Sequence, residues 1–128
     1  MTCIFCSIVA GEISSVKVYE DKDFLAFLDV KPINAGHVLL IPKEHQEYLF
    51  DLSDQKYSAL LLKGKELAIL LKDKLNPIKV GMVVEGFGVS HIHIHLIPLN
   101  NAGDLHPERA KEMRQEELEK IAQKINAK

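Results

Sequence analysis

A chain of 128 residues, 47% hydrophobic and with a formal net charge of −2, can bury one core but lacks the basic excess of a nucleic-acid groove. No apolar run reaches the roughly 18 residues that a membrane helix needs, and the N-terminus lacks the basic and apolar regions of a secretory signal. The expectation is one cytoplasmic domain over residues 1–128, with no nucleic-acid or membrane partner. Its only cysteines, Cys3 and Cys6, form a close pair, which in a reducing compartment points to metal or redox chemistry more than to a disulfide.

Cys3-Ile4-Phe5-Cys6, followed by Ile8 and Val9, predicts a short helical turn closed by Gly11. The Cys-x-x-Cys spacing lets two thiolates face one ion, yet two ligands do not complete a tetrahedron, and small buried cysteines are common. Val16 to Glu20 and Phe24 to Leu28 predict two strands joined by a polar turn. Asp29 ends the second, where a carboxylate serves as a turn cap or as a functional acceptor. Lys31 to Gly36 reads as a loop, His37 to Pro42 as a strand, and His45 follows in an exposed setting.

Ser53 to Leu75 is the clearest helix, with Ser53 as N-cap and an apolar face of Tyr57, Leu60, Leu61, Gly64, Leu67, Ala68, Leu71 and Leu75. Gly64 on that face is expected to admit another helix, within the subunit or across a dimer. Lys79 to Glu85 predicts a strand, and Gly86 to Ser90 a turn whose backbone N–H groups can face an anion. The next strand is expected to start at His91. Its period of two sets His91, His93 and His95 on one face, for water, metal or anion, and Ile92, Ile94 and Leu96 on the other, for the core. Asn100 to Pro107 reads as a loop with His106 at the surface. Glu108 to Lys128 reads as an amphipathic helix docking through Leu118, Ile121, Ala122 and Ile125. The fold class is α+β, a five-stranded antiparallel sheet with helices.

His91-Ile92-His93-Ile94-His95-Leu96-Ile97 matches the His-φ-His-φ-His-φ-φ signature, with φ apolar, of the histidine-triad (HIT) superfamily. The segment from Phe27-Leu28-Asp29 through Pro32, Gly36-His37 and Ile41-Pro42-Lys43 to His45 resembles its nucleotide-binding half, and the Cys-x-x-Cys opening resembles its Hint-like bacterial branch. The resemblance covers about residues 3–98. The helical extension, about 104–128, has no counterpart in it.

The resemblance implies a two-fold dimer that binds a purine nucleotide or nucleotidyl conjugate. It implies chemistry at the α-phosphate of nucleoside phosphoramidates or dinucleoside polyphosphates, releasing a nucleoside monophosphate. His93 would be the nucleophile forming a nucleotidyl-histidine. His95 and His37 would contact phosphate oxygens or the leaving group, and Asp29 would accept from ribose hydroxyls. Val89 and Ser90 would offer backbone donors. Phe5, Ile8, Phe27 and Leu28 would wall the base pocket, or else be plain core. In zinc-bearing relatives the ligands correspond to Cys3, Cys6, His45 and His91, a closed set suited to structural Zn²⁺. The chain departs from the family where relatives often carry Gln or Ser before the triad: here stand Phe87 and Gly88. An adaptor with little turnover is the alternative. A metallohydrolase is disfavoured, since no nearby Asp or Glu is expected to complete an open site.

Overall fold

The computed structural model describes residues 3–127. Its strands are β1 (Lys17–Glu20), β2 (Phe24–Leu28), β3 (Val38–Pro42), β4 (Lys79–Val83) and β5 (Ile94–Leu99). All pairings are antiparallel and the order across the sheet is β1-β2-β3-β5-β4. The helices are α1 (Ile4–Val9), α2 (Asp54–Leu75) and α3 (Gln115–Asn126).

Strand periodicity divides the apolar side chains between the two faces of this sheet. Ala26, Leu28, Val38, Leu40, Ile94 and Leu96 join the large core with Leu60, Leu67 and Leu71 of α2 and Leu118, Ala122 and Ile125 of α3. Leu25, Phe27, Leu39 and Ile41 face the other way and meet Phe5 and Ile8 of α1. The long helices therefore cover one face, and a six-residue helix and the imidazoles occupy the other.

α2 starts where the sequence indicates. Ser53 Oγ accepts from the Lys56 N–H at 3.2 Å, a cap worth about 1 kcal/mol. Asp54 at its start and Lys72 and Lys74 at its end suit the helix dipole. It stops at Asn76, which takes the left-handed conformation (φ 53°) and donates to the Lys72 carbonyl. Gly64 corrects one expectation. A Cβ there would lie 3.0 Å from Met82 Cε and 3.8 Å from Leu40 Cδ2, so the glycine admits the sheet and not a second helix.

Three boundaries also differ, the smallest being that β4 ends at Val83 and not at Glu85. The last strand begins at Ile94, because the Ile92 N–H donates to the Gln46 carbonyl at 2.7 Å instead of to a strand neighbour. The C-terminal segment is not one helix from Glu108. After a 3₁₀ turn (Pro107–Arg109) the chain runs extended, donating from Lys111 N–H to the Pro32 carbonyl and from Met113 N–H to the Val30 carbonyl. Only then does α3 begin, and its docking stripe is the expected one, with Ile121 half-buried. No helix among the described residues is long and apolar enough to cross a membrane.

Candidate functional site

Residues 91–95 alternate as the sequence implies, although only Ile94 and His95 of them lie in β5. Ile92, Ile94 and Leu96 enter the large core. The imidazoles take the other face, but not a solvated one: His91 is 0% and His93 5% exposed. Phe5 covers them, edge-on, with ring centroids 5.9 Å from His91 and 5.0 Å from His93.

His91 turns away from its two fellow histidines towards α1. Its Nδ1 lies 3.4 Å from Cys3 Sγ, 3.5 Å from Cys6 Sγ and 3.2 Å from His45 Nδ1, and Cys6 Sγ lies 3.3 Å from His45 Nδ1. A tetrahedron with Zn–N near 2.0–2.1 Å and Zn–S near 2.3 Å has N···N edges of about 3.3 Å and N···S edges of about 3.6 Å. These four separations approximate such edges, and all four ligand atoms lie within 4.8 Å of one another. The far nitrogens support the same reading. His91 Nε2 donates to the Pro42 carbonyl at 2.8 Å, and His45 Nε2 faces Glu47 Oε2 at 3.3 Å. With those protons committed, both Nδ1 atoms present lone pairs to each other, and a cation between them removes the repulsion.

Titration follows the same wiring. The Glu47 carboxylate and then Cys3 raise the pKa of His45 above its ordinary value. Burial lowers that of His91, against the pull of the Pro42 carbonyl. Burial opposes ionisation of Cys3, but hydrogen bonds from Cys6 and His45 outweigh it and draw the thiol down. These residues fit a structural divalent metal, which would anchor α1, a helix too short to hold itself.

His37 and His95 are joined differently. The Ile33 N–H donates to His37 Nδ1 at 3.0 Å, so the proton of neutral His37 sits on Nε2. That proton donates to His95 Nδ1 at 2.9 Å, leaving the proton of His95 on Nε2. Asp29 Oδ2 is 3.6 Å from His37 Nε2, while Asp29 Oδ1 accepts from the Lys31 N–H at 2.9 Å. Asp29 thus caps its turn and also faces an imidazole. Burial pushes the His37 pKa down to about 4, outweighing Asp29. Burial and His93 lower that of His95.

Asp29, His37 and His95 also lie close enough to suggest a second metal set, so the structure supplies the carboxylate that sequence spacing did not offer. The wiring argues against it. A metal on His37 Nε2 would displace its proton while the Ile33 N–H holds Nδ1, leaving an imidazolate.

His93 lies between the two sets. Its Nδ1 donates to the His91 carbonyl at 2.8 Å, which leaves Nε2 as a free lone pair. The His95 ring is 5.1 Å away. An imidazole whose neutral form has a fixed tautomer thus sits beside an N–H donor, the arrangement for nucleophilic attack and leaving-group protonation. Glu85 Oε1 accepts from the N–H groups of Phe87 and Gly88 at 3.1 and 3.4 Å. The N–H groups of Val89 and Ser90 have no acceptor among the described residues and are open to water or a ligand.

Phe5, Ile8 and Phe27 pack in one cluster with half-buried Val89, on the side of the imidazoles. Leu28 must be removed from that group, because its side chain points through the sheet into the core beneath α2. A cleft of about 490 Å³ opens beside α1, between Ile4, Ser7 and Ile13 and the Gly88–Ser90 turn. A larger one, about 590 Å³, lies between the Pro32–Ala35 loop and the C-terminal segment and includes none of the histidines.

Several contributors escaped the sequence reading. Asn34 Nδ2 donates to the Pro98 carbonyl at 2.8 Å and to Asp104 at 3.1 Å, fixing the loop that carries Ile33 and His37. Asp104, 4% exposed, also accepts from the Asn100 and Asn101 N–H groups. Glu47 backs His45, and the readable signal was the His-x-Glu spacing.

A family model described as HIT domain matches residues 10–102. The chain is 38% identical over 107 residues to "Protein hit" of Bacillus subtilis, covering 80% of this chain and 74% of that one. It is 41% identical over 103 residues to the adenosine 5′-monophosphoramidase hnt1 of Schizosaccharomyces pombe, covering 79% and 77%. The crystal structure of a zinc-bound histidine triad family protein from Mycobacterium smegmatis superposes with a TM-score of 0.84 at 28% identity, covering 99% of this chain and 92% of that one.

Proposed function

Because the chain belongs to the HIT family, we propose that it is a nucleotidyl hydrolase or transferase acting at the α-phosphate of nucleoside phosphoramidates, with His93 as nucleophile. The observation that carries this reading is the pair of fixed tautomers, lone pair on His93 Nε2 and proton on His95 Nε2. The phosphoramidase named among the relatives supports the substrate class.

His93 Nε2 forms a bond to phosphorus as the P–N bond to the leaving amine breaks. The departing nitrogen takes the proton of His95 Nε2. Burial keeps the His37–His95 pair neutral in the free protein, and the negative phosphate favours an added proton on the pair in the complex. Water then breaks the His93–phosphorus bond, returning a proton to His95 and releasing the nucleoside monophosphate. The N–H groups of Val89 and Ser90 hold phosphate oxygens. Asp29 Oδ2 accepts from the ribose, and Phe5, Ile8 and Phe27 lie behind the base.

We assign structural Zn²⁺ to Cys3, Cys6, His45 and His91, where it would pin α1 and supply no reacting group. The chain pairs as a two-fold dimer through α2 and the open edge of β4, a reading supported by Leu62, Ile69 and Met82, exposed by 65%, 60% and 44%.

The test is AMP release from adenosine 5′-phosphoramidate by the native chain and by His93→Ala. Loss of at least about a thousandfold in the variant is expected, as for removal of a nucleophile. Release that survives the change rejects His93 as nucleophile. A folded, AMP-binding native protein with no turnover favours the adaptor.

A further inference from the structure

Glu85 has no part in the chemistry above, yet its position is defined. β4 pairs with β5 so that Val83 lies opposite His95, and paired residues present side chains to the same face. β4 ends at Val83, and two residues on Glu85 enters the turn that leads back to the histidine stretch. Its carboxylate is not free to wander, being tied by the Phe87 and Gly88 N–H groups. Asp29 and Glu85 are the two carboxylates whose charge acts on His95, both raising its proton affinity against burial and His93. No lysine or arginine side chain among the described residues pairs with Asp29, Glu85, His37, His93 or His95. The ion pairs of the basic side chains lie elsewhere.

On the proposed mechanism the leaving group takes its proton from His95, which pairs across the sheet with Val83, two residues before Glu85. On the proposed reading of the site, we infer that Glu85 selects the leaving group by charge, favouring amines that carry a further positive charge and disfavouring carboxylate-bearing amines and polyphosphates. A polyphosphate leaving group needs cations where it departs, and here it would meet a fixed negative charge. The chain's Phe87 and Gly88 add no polar side chain to offset it, and Phe87 is exposed by 93%.

The experiment compares kcat/KM for AMP release from three adenosine 5′-phosphoramidates: the unsubstituted one, one linked through Nε to lysine amide, and one linked to 6-aminohexanoate. A unit charge several ångströms from a carboxylate, at the high effective dielectric of a protein surface, predicts a cation-to-anion ratio on the order of tenfold in the native protein. Glu85→Gln, whose amide oxygen still accepts from Phe87 and Gly88, brings the ratio near one, and Glu85→Lys inverts it. Raising salt collapses the native ratio without any substitution. A purely structural role for Glu85 would depress all three substrates together and leave the ratio intact. Release from the unsubstituted compound with a native ratio near one, or with a ratio that survives Glu85→Gln, overturns the charge selection and leaves His93 catalysis standing. No release from any of the three overturns both.

Discussion

Two pairs of imidazoles flank His93 and are wired in opposite senses. His45 and His91 meet through Nδ1 atoms 3.2 Å apart, and each far nitrogen is backed by an acceptor, Glu47 or the Pro42 carbonyl. His37 and His95 meet at 2.9 Å, but the far nitrogen of His37 is backed by a donor, the Ile33 N–H. An acceptor behind an imidazole takes its proton outward and turns a lone pair inward, for a metal. A donor behind it pushes the proton inward, for a hydrogen bond. Residue type and proximity do not distinguish the pairs, since each forms a cluster with metal-ligating neighbours. The backing groups do.

The strongest way to break this comparison is to remove the metal. The purified chain is expected to carry one Zn²⁺ per chain by elemental analysis, lost in Cys3→Ser/Cys6→Ser and kept in His37→Gln. Metal loss frees α1 while the large core remains. The cost is therefore well below the roughly 10–16 kcal/mol seen where a whole fold depends on zinc, and we expect about 3–5 kcal/mol, read as a melting-temperature drop of about 10–20 °C. Metal retained by the cysteine variant, or lost from His37→Gln, would exchange the roles of the two pairs.

The next effect is smaller and concerns the proton-bearing pair. His37 has an ordinary pKa of 6.5 and is pushed to about 4 in the folded chain by burial. Between those values the unfolded chain holds more protons, so stability from this group is complete above pH 6.5 and is lost as pH falls towards 4. The gap corresponds to at most about 3.4 kcal/mol. Chemical denaturation at pH 7 and pH 4.5 should show a steeper loss in the native chain than in His37→Gln. Equal losses would mean that the ring already carries its charge in the folded state. The His37 NMR resonance should likewise stay in its neutral position until about pH 4.

Much of this was open to sequence reasoning, for stated physical reasons. Alternation of His and Ile in residues 91–96 fixes the two faces whether or not each residue belongs to a strand, because extended backbone has the same period in both cases. The four metal-set residues and the pairing of His37 with the triad followed from family resemblance. What failed were features decided by backbone partners. The Ile92 N–H chose the Gln46 carbonyl, so β5 starts late, and Lys111 and Met113 chose carbonyls of the Val30–Pro32 segment, so α3 starts late. Leu28 takes the core alternative for a simpler reason. It sits one residue from Phe27, and one step along a strand reverses the face. The Ile33 N–H and the Pro42 carbonyl, which set the wiring of both pairs, have no side-chain signature at all.

The finest test isolates a single backing group. Glu47 is the one of these groups that is a side chain, so it can be changed without moving the backbone. Glu47→Gln keeps an acceptor opposite His45 Nε2 but removes the charge that raises the basicity of the ring. If the acceptor turns His45 Nδ1 towards a metal and the charge strengthens that ligand, affinity falls by about tenfold, at the low end for partners behind a metal-bound histidine. Competition with a chromogenic chelator reads that change directly. Nδ1 ligation in both proteins leaves His45 and His91 with their proton on Nε2, visible in the ring ¹⁵N shifts. AMP release should be nearly unchanged, because His93 keeps its own anchor on the His91 carbonyl. Unchanged metal affinity would reduce Glu47 to a surface neighbour, and the orientation of His45 would then rest on the cysteines and His91 alone.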